Sequence, residues 1–196
     1  MPLPWEVGPE AVAWTHPAAI DEEKLLAQCR FGQSRTGGPG GQNRNKVETA
    51  VVLVHEPTGL SAQAGERRHM GENKSLALFR LRLTLATHHR GAVGIGPVGT
   101  ERWRARLRRP KRRPSADPLA PRAASATIEI NPSHKDYPAL LAEAIDVLEA
   151  ANYDLKTAAL RLDVSASQLI KLIKHHPPAL HAVNEARAKR GMHTLK

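Results

Sequence analysis

The residues best placed to do chemistry lie in the run 34–49, Ser-Arg-Thr-Gly-Gly-Pro-Gly-Gly-Gln-Asn-Arg-Asn-Lys-Val-Glu-Thr. Four glycines and a proline surround Gln42. Glycine lets a main chain come close to a ligand, and a glutamine at such a tip offers an uncharged amide and a backbone N–H. Arg35, Arg44 and Lys46 flank the tip and suit a polyphosphate partner. No Ser-His-Asp set and no carboxylate pair stands near Gln42, where the ionisable neighbours are Arg44, Lys46 and Glu48. Any catalysis here therefore needs a site whose other half belongs to a partner. A phosphate-cradling Gly-x-x-x-x-Gly-Lys-Ser/Thr loop is excluded, because Asn45 precedes Lys46 and Val47 follows it. On residue types alone, a plain flexible turn stays open.

The bulk numbers narrow the partner. The 196 residues carry a formal charge of +10 and a pI near 10.3, which points to nucleic acid or another polyanion. A chain of this length holds one medium domain or two small ones. No apolar run is long enough for a transmembrane helix, and residues 1–10 lack a secretory signal. No membrane partner is expected, and the expected location is the cytoplasm. Cys29 is the single cysteine, so no internal disulfide and no Cys-rich metal site is expected. His88-His89 and His175-His176 have no carboxylate or thiol company. Neither metal nor cofactor is implied.

The elements that must position Gln42 read as an α+β unit. Residues 1–19 form a poorly ordered lead-in that packs through Trp5 and Trp14. Asp21 caps a short helix running to Gln28, with Glu22 and Glu23 near its positive end. A strand at 29–33 then delivers the glycine loop. The β-branched run at 50–55, the turn Pro57-Thr58-Gly59 and a return strand at 60–64 make a hairpin. Residues 72–87 carry Leu76, Phe79 and Leu83 at helical spacing, with Leu78, Leu81 and Leu85 widening the apolar face. One helix on a small sheet closes a domain at 20–90.

Residues 91–126 read as a Gly/Arg/Pro-rich basic linker. Its Gly-x-Gly-x-x-Gly at 94–99 follows a helix and runs into arginines, so it is no dinucleotide site. The tract Arg102, Trp103, Arg104, Arg106, Arg108, Arg109, Lys111, Arg112 and Arg113 is read as an RNA-backbone contact, with Trp103 stacking on a base; a solvated linker is the plain alternative. The Pro- and Ala-rich run 114–125 is a tether. Residues 127–196 read as an all-α three-helix domain with a basic tail. Pro138 sits in the first turn of its first helix near Asp136, and Leu141, Ile145 and Leu148 mark the buried stripe. Helices at 155–162 and 166–175 flank Asp163-Val164-Ser165. Ala159, Asp163 and Leu169 have helix-turn-helix spacing, and Asp tolerates the left-handed turn. Pro177-Pro178 ends the third helix, and Lys189 and Arg190 belong to the tail.

Gly-Gly-Pro-Gly-Gly-Gln at 37–42, Asn45-Lys46, Glu48, Pro57-Thr58-Gly59, Glu66-Arg67-Arg68, Asn73 and the apolar helix after it resemble the GGQ domain of class I peptide release factors and of codon-independent ribosome-rescue hydrolases. The resemblance implies that the loop enters the peptidyl transferase centre of the large ribosomal subunit, where water attacks the ester of peptidyl-tRNA. Gly40, Gly41 and Gln42 would be catalytic. The Gln42 N–H would stabilise developing negative charge, a contribution of about 2.7–4 kcal/mol for a preorganised donor in a dry site. Arg35, Arg44, Asn45, Lys46 and Arg67 would face ribosomal RNA. In such proteins the glutamine is commonly N5-methylated, which makes a glutamine methyltransferase a further partner. About thirty residues precede the loop, too few for a decoding domain of the usual order, so codon-independent rescue is expected. Locally, His69-Met70 stand where relatives often show Ser-Gln, removing a polar contact. The C-terminal unit resembles Fis-type helix-turn-helix modules, with Asp163 where glycine is usual. Two alternatives follow: a helix-turn-helix nucleic-acid-binding regulator, or a stably bound ribosomal component, each with a non-catalytic GGQ unit.

Overall fold

The computed structural model describes residues 14–34, 49–94, 98–109 and 126–196. Its first sheet has the order β1-β2-β3, from β1 (Cys29–Ser34), β2 (Ala50–His55) and β3 (Ser61–Ala64). Both pairings are antiparallel, with Phe31 opposite Leu53 and Val51 opposite Ala64. Helix α1 (Glu22–Ala27) precedes the sheet; Asp21 is its N-cap residue but makes no side-chain capping bond. Alternation along β2 turns Val51, Leu53 and His55 into the core. His55 is kept neutral: burial lowers its pKa, and its ring bonds Thr58 Oγ1 at 2.8 Å and Gln28 Oε1 at 3.1 Å.

Helix α2 (Met70–His88) covers β2 and β3. Its buried residues are Asn73, Ala77, Leu78, Leu81, Leu85, Ala86 and Thr87. Leu76, Phe79 and Leu83, expected to lead the apolar face, are only half-buried. The buried arc is rotated because α2 has two partners, the sheet and a helix from the C-terminal half.

That helix is α4 (Tyr137–Ala150), in which twelve consecutive residues, Tyr137 to Leu148, are buried. A helix buried all round sits at the centre of its fold. Pro138 lies in its first turn, and Asp136 is the N-cap residue without a side-chain cap bond. Glu143 and Asp146 are buried with it and receive the chain segments packed outside. Thr100 donates to Glu143 through its backbone N–H and its hydroxyl. Trp14 Nε1, Arg90 Nη1 and the Gly91 N–H all donate to Asp146, at 2.9, 3.0 and 3.0 Å.

Two sequence expectations fail around these anchors. Residues 14–19 of the expected lead-in are folded: His16 caps a 3₁₀ turn at Pro17–Ala19, and Ala18 is buried. Residues 98–109 of the expected linker form helix α3 (Glu101–Ala105) and strand β4 (Leu107–Arg108), which pairs antiparallel with β5 (Thr127–Ile128). Trp103 drives this, since burying an indole with its N–H satisfied ties a charged segment to the core.

After α4 come α5 (Leu155–Arg161) and α6 (Ala166–Lys174), joined by a turn in which Asp163 is left-handed at φ 57°. Asp154 and Ser165 cap the two helices through their side chains. The third helix ends at Lys174, ahead of the prolines expected to stop it, and Pro177 also opens a fourth helix, α7 (Pro177–Ala188). Proline at the first helical positions sacrifices no needed N–H. The basic end is no free tail either. Arg187 donates to the carbonyls of His193 and Tyr153, and Leu195 is buried at 7% exposure.

Candidate functional site

The glycine loop hangs from the end of the β1–β2 ladder, where Ser34 pairs with Ala50. Gly40, Gly41 and Gln42 lie outside the described residues, as do Arg35, Arg44, Asn45, Lys46, Lys111, Arg112 and Arg113. What the structure describes is the mount. Asn73, fully buried in the first turns of α2, binds three backbone groups. Its Nδ2 donates to the carbonyls of Thr49 at 2.8 Å and Arg67 at 2.9 Å, and its Oδ1 accepts the Arg67 N–H at 2.9 Å. One amide thus joins the returning stem of the loop, the turn after β3 and the start of α2. An asparagine suits this duty because it donates and accepts in one plane.

The other stem is held more loosely. Gln33 Nε2 lies 3.2 Å from Met70 Sδ, a weak acceptor. His69 is the N-cap residue of α2, yet its side chain makes no capping bond. Here the His69-Met70 departure has its physical effect, since a short hydroxyl side chain would close that cap. Arg80 braces the rim from α2, 2.7 Å from Glu66 and bonded to the Gln63 carbonyl. That hydrogen bond holds the exposed Glu66 carboxyl below its ordinary range.

Among its described residues, the arginine tract is spent largely on partners within the molecule. Trp103 is fully buried and its Nε1 donates to the Leu162 carbonyl at 3.0 Å, so it has no free face for a base. Arg102 and Arg106 converge on Asp136 at 3.6 and 2.9 Å. Burial alone would raise Asp136, but the Arg106 hydrogen bond and the Arg102 charge outweigh it and hold the carboxyl low. Arg108 reaches Glu129 at 3.4 Å, and Arg109 pairs with Asp163. Arg104 and Arg67 are exposed. At the far end Lys189 is exposed, while Arg190 stacks on Tyr153 at 4.5 Å from the ring centre. Among the described residues no group of His, Cys, Asp and Glu could hold a metal ion, and no helix is long and apolar enough to cross a membrane.

The mount coincides with a family match. Residues 19–93 match the RF-1 domain model. That stretch is an RF-1 domain, and the chain is class I release factor-like. It is similar to a chloroplastic peptide chain release factor of Arabidopsis thaliana, 52% identical over 52 residues, 26% of this chain and 11% of the relative. It is also similar to peptide chain release factor 1 of Chlorobaculum tepidum, 47% identical over 66 residues, 34% and 18% of the two chains. With peptide chain release factor 2 of Paramagnetospirillum magneticum it shares 34% identity over 76 residues, 37% and 20%. The chain thus spans a fifth or less of the length of these three relatives. The RF-1 domain takes in β1 to β3, α1 and α2, and beyond α2 it includes Arg90, the residue ion-paired with Asp146 of α4. In the sequence, Asn73 stands out only as part of a pattern. Its position in the first turns of a helix, where asparagine is a poor former, was the available signal.

Proposed function

We infer that the chain is a ribosome-dependent peptidyl-tRNA hydrolase that frees stalled ribosomes without reading a stop codon. The carrying observation is the mount: a β ladder and a buried asparagine fix both ends of a Gly-Gly-Gln loop inside an RF-1 domain. Fixed stems set the direction in which the loop leaves the sheet, which favours its placement in an RNA catalytic centre. In this reading the Gln42 N–H stabilises charge on the reacting ester, its side chain orients water, and Gly40 and Gly41 keep the tip free of Cβ atoms. The codon-independent form is supported by what surrounds the RF-1 domain. Exposed Arg104, Lys171, Lys174 and Lys189 offer RNA phosphates contacts that need no codon. Gln42 is also the side chain on which an N5-methyltransferase would act, and peptide mass spectrometry of cell-derived protein would reveal the added methyl.

The test is peptide release from ribosomes stalled on truncated mRNA and from ribosomes paused at a stop codon. Release from the first set, abolished by Gln42→Ala with ribosome binding retained, is the expected result. Equal release by the wild type and the Gln42→Ala variant would remove the catalytic claim. A second reading, a nucleic-acid-binding regulator, draws on the α5–α6 turn at Asp163 and predicts a specific duplex DNA footprint with no ribosome association.

A further inference from the structure

The outward face of α6 carries Ser167, Lys171 and Lys174, all exposed, opposite the buried Leu169, Leu172 and Ile173. A groove runs beside this face, lined by Ser167, Ile170, Lys171, Lys174, His175 and Lys196. Lys196 comes from a different part of the chain, and its place there is built. Asn184 of α7 clamps the neighbouring Leu195, accepting its N–H at 2.7 Å and donating to its carbonyl at 3.2 Å. Leu195 is buried by the same fold. No Asp or Glu side chain lines the groove. Glu129 lines the adjoining pocket, which shares Lys171 and His175 with the groove, and there it pairs with Arg108. Three lysines have therefore been brought together on one opening whose own lining holds no carboxylate side chain, an arrangement that a polyanion relieves.

We propose that this groove binds the phosphate backbone of double-helical RNA. The residue types favour backbone over base. Lysine ammonium groups act as point charges on phosphate, and the groove holds no arginine fork and no asparagine, the side chains that read purine edges in pairs. Backbone recognition without sequence fits ribosomal RNA rather than an operator, and this last step rests on the hydrolase reading above. The groove would then anchor the body of the protein on RNA while the RF-1 domain presents its loop.

The experiment is a salt titration of the full chain against a fluorescently labelled RNA duplex of about 16 base pairs, read by anisotropy, beside DNA duplexes of mixed sequence. Each duplex phosphate contact contributes about 0.9 to the slope of log affinity against log salt. The Lys171→Ala/Lys174→Ala variant, altered only at exposed positions, should lose about 1.8 from that slope. Asn184→Ala, which leaves the charge unchanged but frees the Lys196 strap, should weaken RNA binding as well. A slope equal to that of the wild type in the double variant would overturn the groove. So would tighter, sequence-dependent binding to one DNA duplex that the double variant loses. Because binding is read without ribosomes, its failure is separable from failure of release. A wild-type protein that binds RNA through these lysines but frees no peptide keeps the groove and loses the hydrolase.

Discussion

Asn73 reaches from the first turns of α2 to Thr49, its Nδ2 donating to the Thr49 carbonyl at 2.8 Å, immediately beside the last rung of the β1–β2 ladder. The same amide takes both backbone groups of Arg67. The stem of the glycine loop is therefore set by α2, not by the ladder alone, and anything that shifts α2 re-aims the loop.

Replacing Asn73 with Ala leaves three backbone groups to find new partners, and an unmet buried polar group costs about 1–3 kcal/mol. A loss of about 2 kcal/mol or more in denaturant unfolding is expected. Single-turnover peptide release should fall further than ribosome affinity, since the loop remains present but is badly aimed. Asp is no rescue, because it presents a second carboxylate oxygen where two carbonyls need a donor. Wild-type stability and release in Asn73→Ala would show that the ladder suffices.

Much of the RF-1 domain was legible because its signals are local. Period-two alternation placed β2, Pro57-Thr58-Gly59 placed the turn, and the loop residues announced themselves by type. What escaped depended on partners distant in sequence. Trp103 looked exposed inside an arginine tract, and only the Leu162 carbonyl explains its burial. Arg102 and Arg106 looked free because Asp136, which binds both, lies about thirty residues away. Pro177-Pro178 was read as a stop when its rigid φ serves equally to start α7. The buried face of α2 was misjudged for the same kind of reason, since α4 packs on it from outside the local pattern.

Burial moves the titrations of His16 and Asp146 in opposed directions. His16 is 1% exposed; its Nδ1 accepts the Ala18 N–H and its Nε2–H donates to the His89 carbonyl. Burial lowers its pKa from 6.5 to about 4. Its folded form must be neutral, so its contribution is complete above pH 6.5 and is lost as pH falls toward 4. At 1.36 kcal/mol per unit this amounts to about 3 kcal/mol. Burial pushes Asp146 the other way, up to about 6 from 3.8, so its contribution is present at low pH and lost as pH rises through 6. The two largely cancel between pH 4 and 6. Removing the Asp146 titration with Asp146→Asn should expose His16, and unfolding free energy should then fall steeply from pH 6.5 to 4. His16→Gln should reverse the slope. Parallel pH profiles for wild type and both variants would refute the assignment.

Gly91 is the third test. A Cβ built there would meet Asp146 Oδ2 at 2.7 Å and the Thr15 carbonyl at 3.0 Å. Neither atom can retreat, because Asp146 is held by three donors and Thr15 belongs to the backbone beside the His16 cap. Gly91→Ala should cost about 1–3 kcal/mol, the usual scale for overpacking, and should loosen residues 14–19 first. Hydrogen exchange at the Ala18 and Gly91 amides would report it. Protection unchanged at both would mean that the segment is not anchored by Asp146.

Asp163 tests how the α5–α6 turn is made. Its φ of 57° lies in the left-handed region, where a side chain costs about 1–2 kcal/mol and Asp less than most. Its carboxylate also meets Arg109, but both partners are more than half exposed, and such pairs contribute about 0–1 kcal/mol. Asp163→Gly removes the backbone cost, loses the ion pair and gains unfolded-state freedom of about 0.4–1 kcal/mol. These offset, and a midpoint within about 0.5 kcal/mol of wild type is expected. Asp163→Val keeps none of the compensations and places a β-branched side chain where it is least tolerated, so a loss of about 2 kcal/mol should appear in the same denaturation series. If valine is accepted without cost, the turn must relax out of the left-handed region. The Val164 N–H to Ala159 carbonyl bond at 3.0 Å, which closes the C-terminal end of α5, would then be replaceable rather than required.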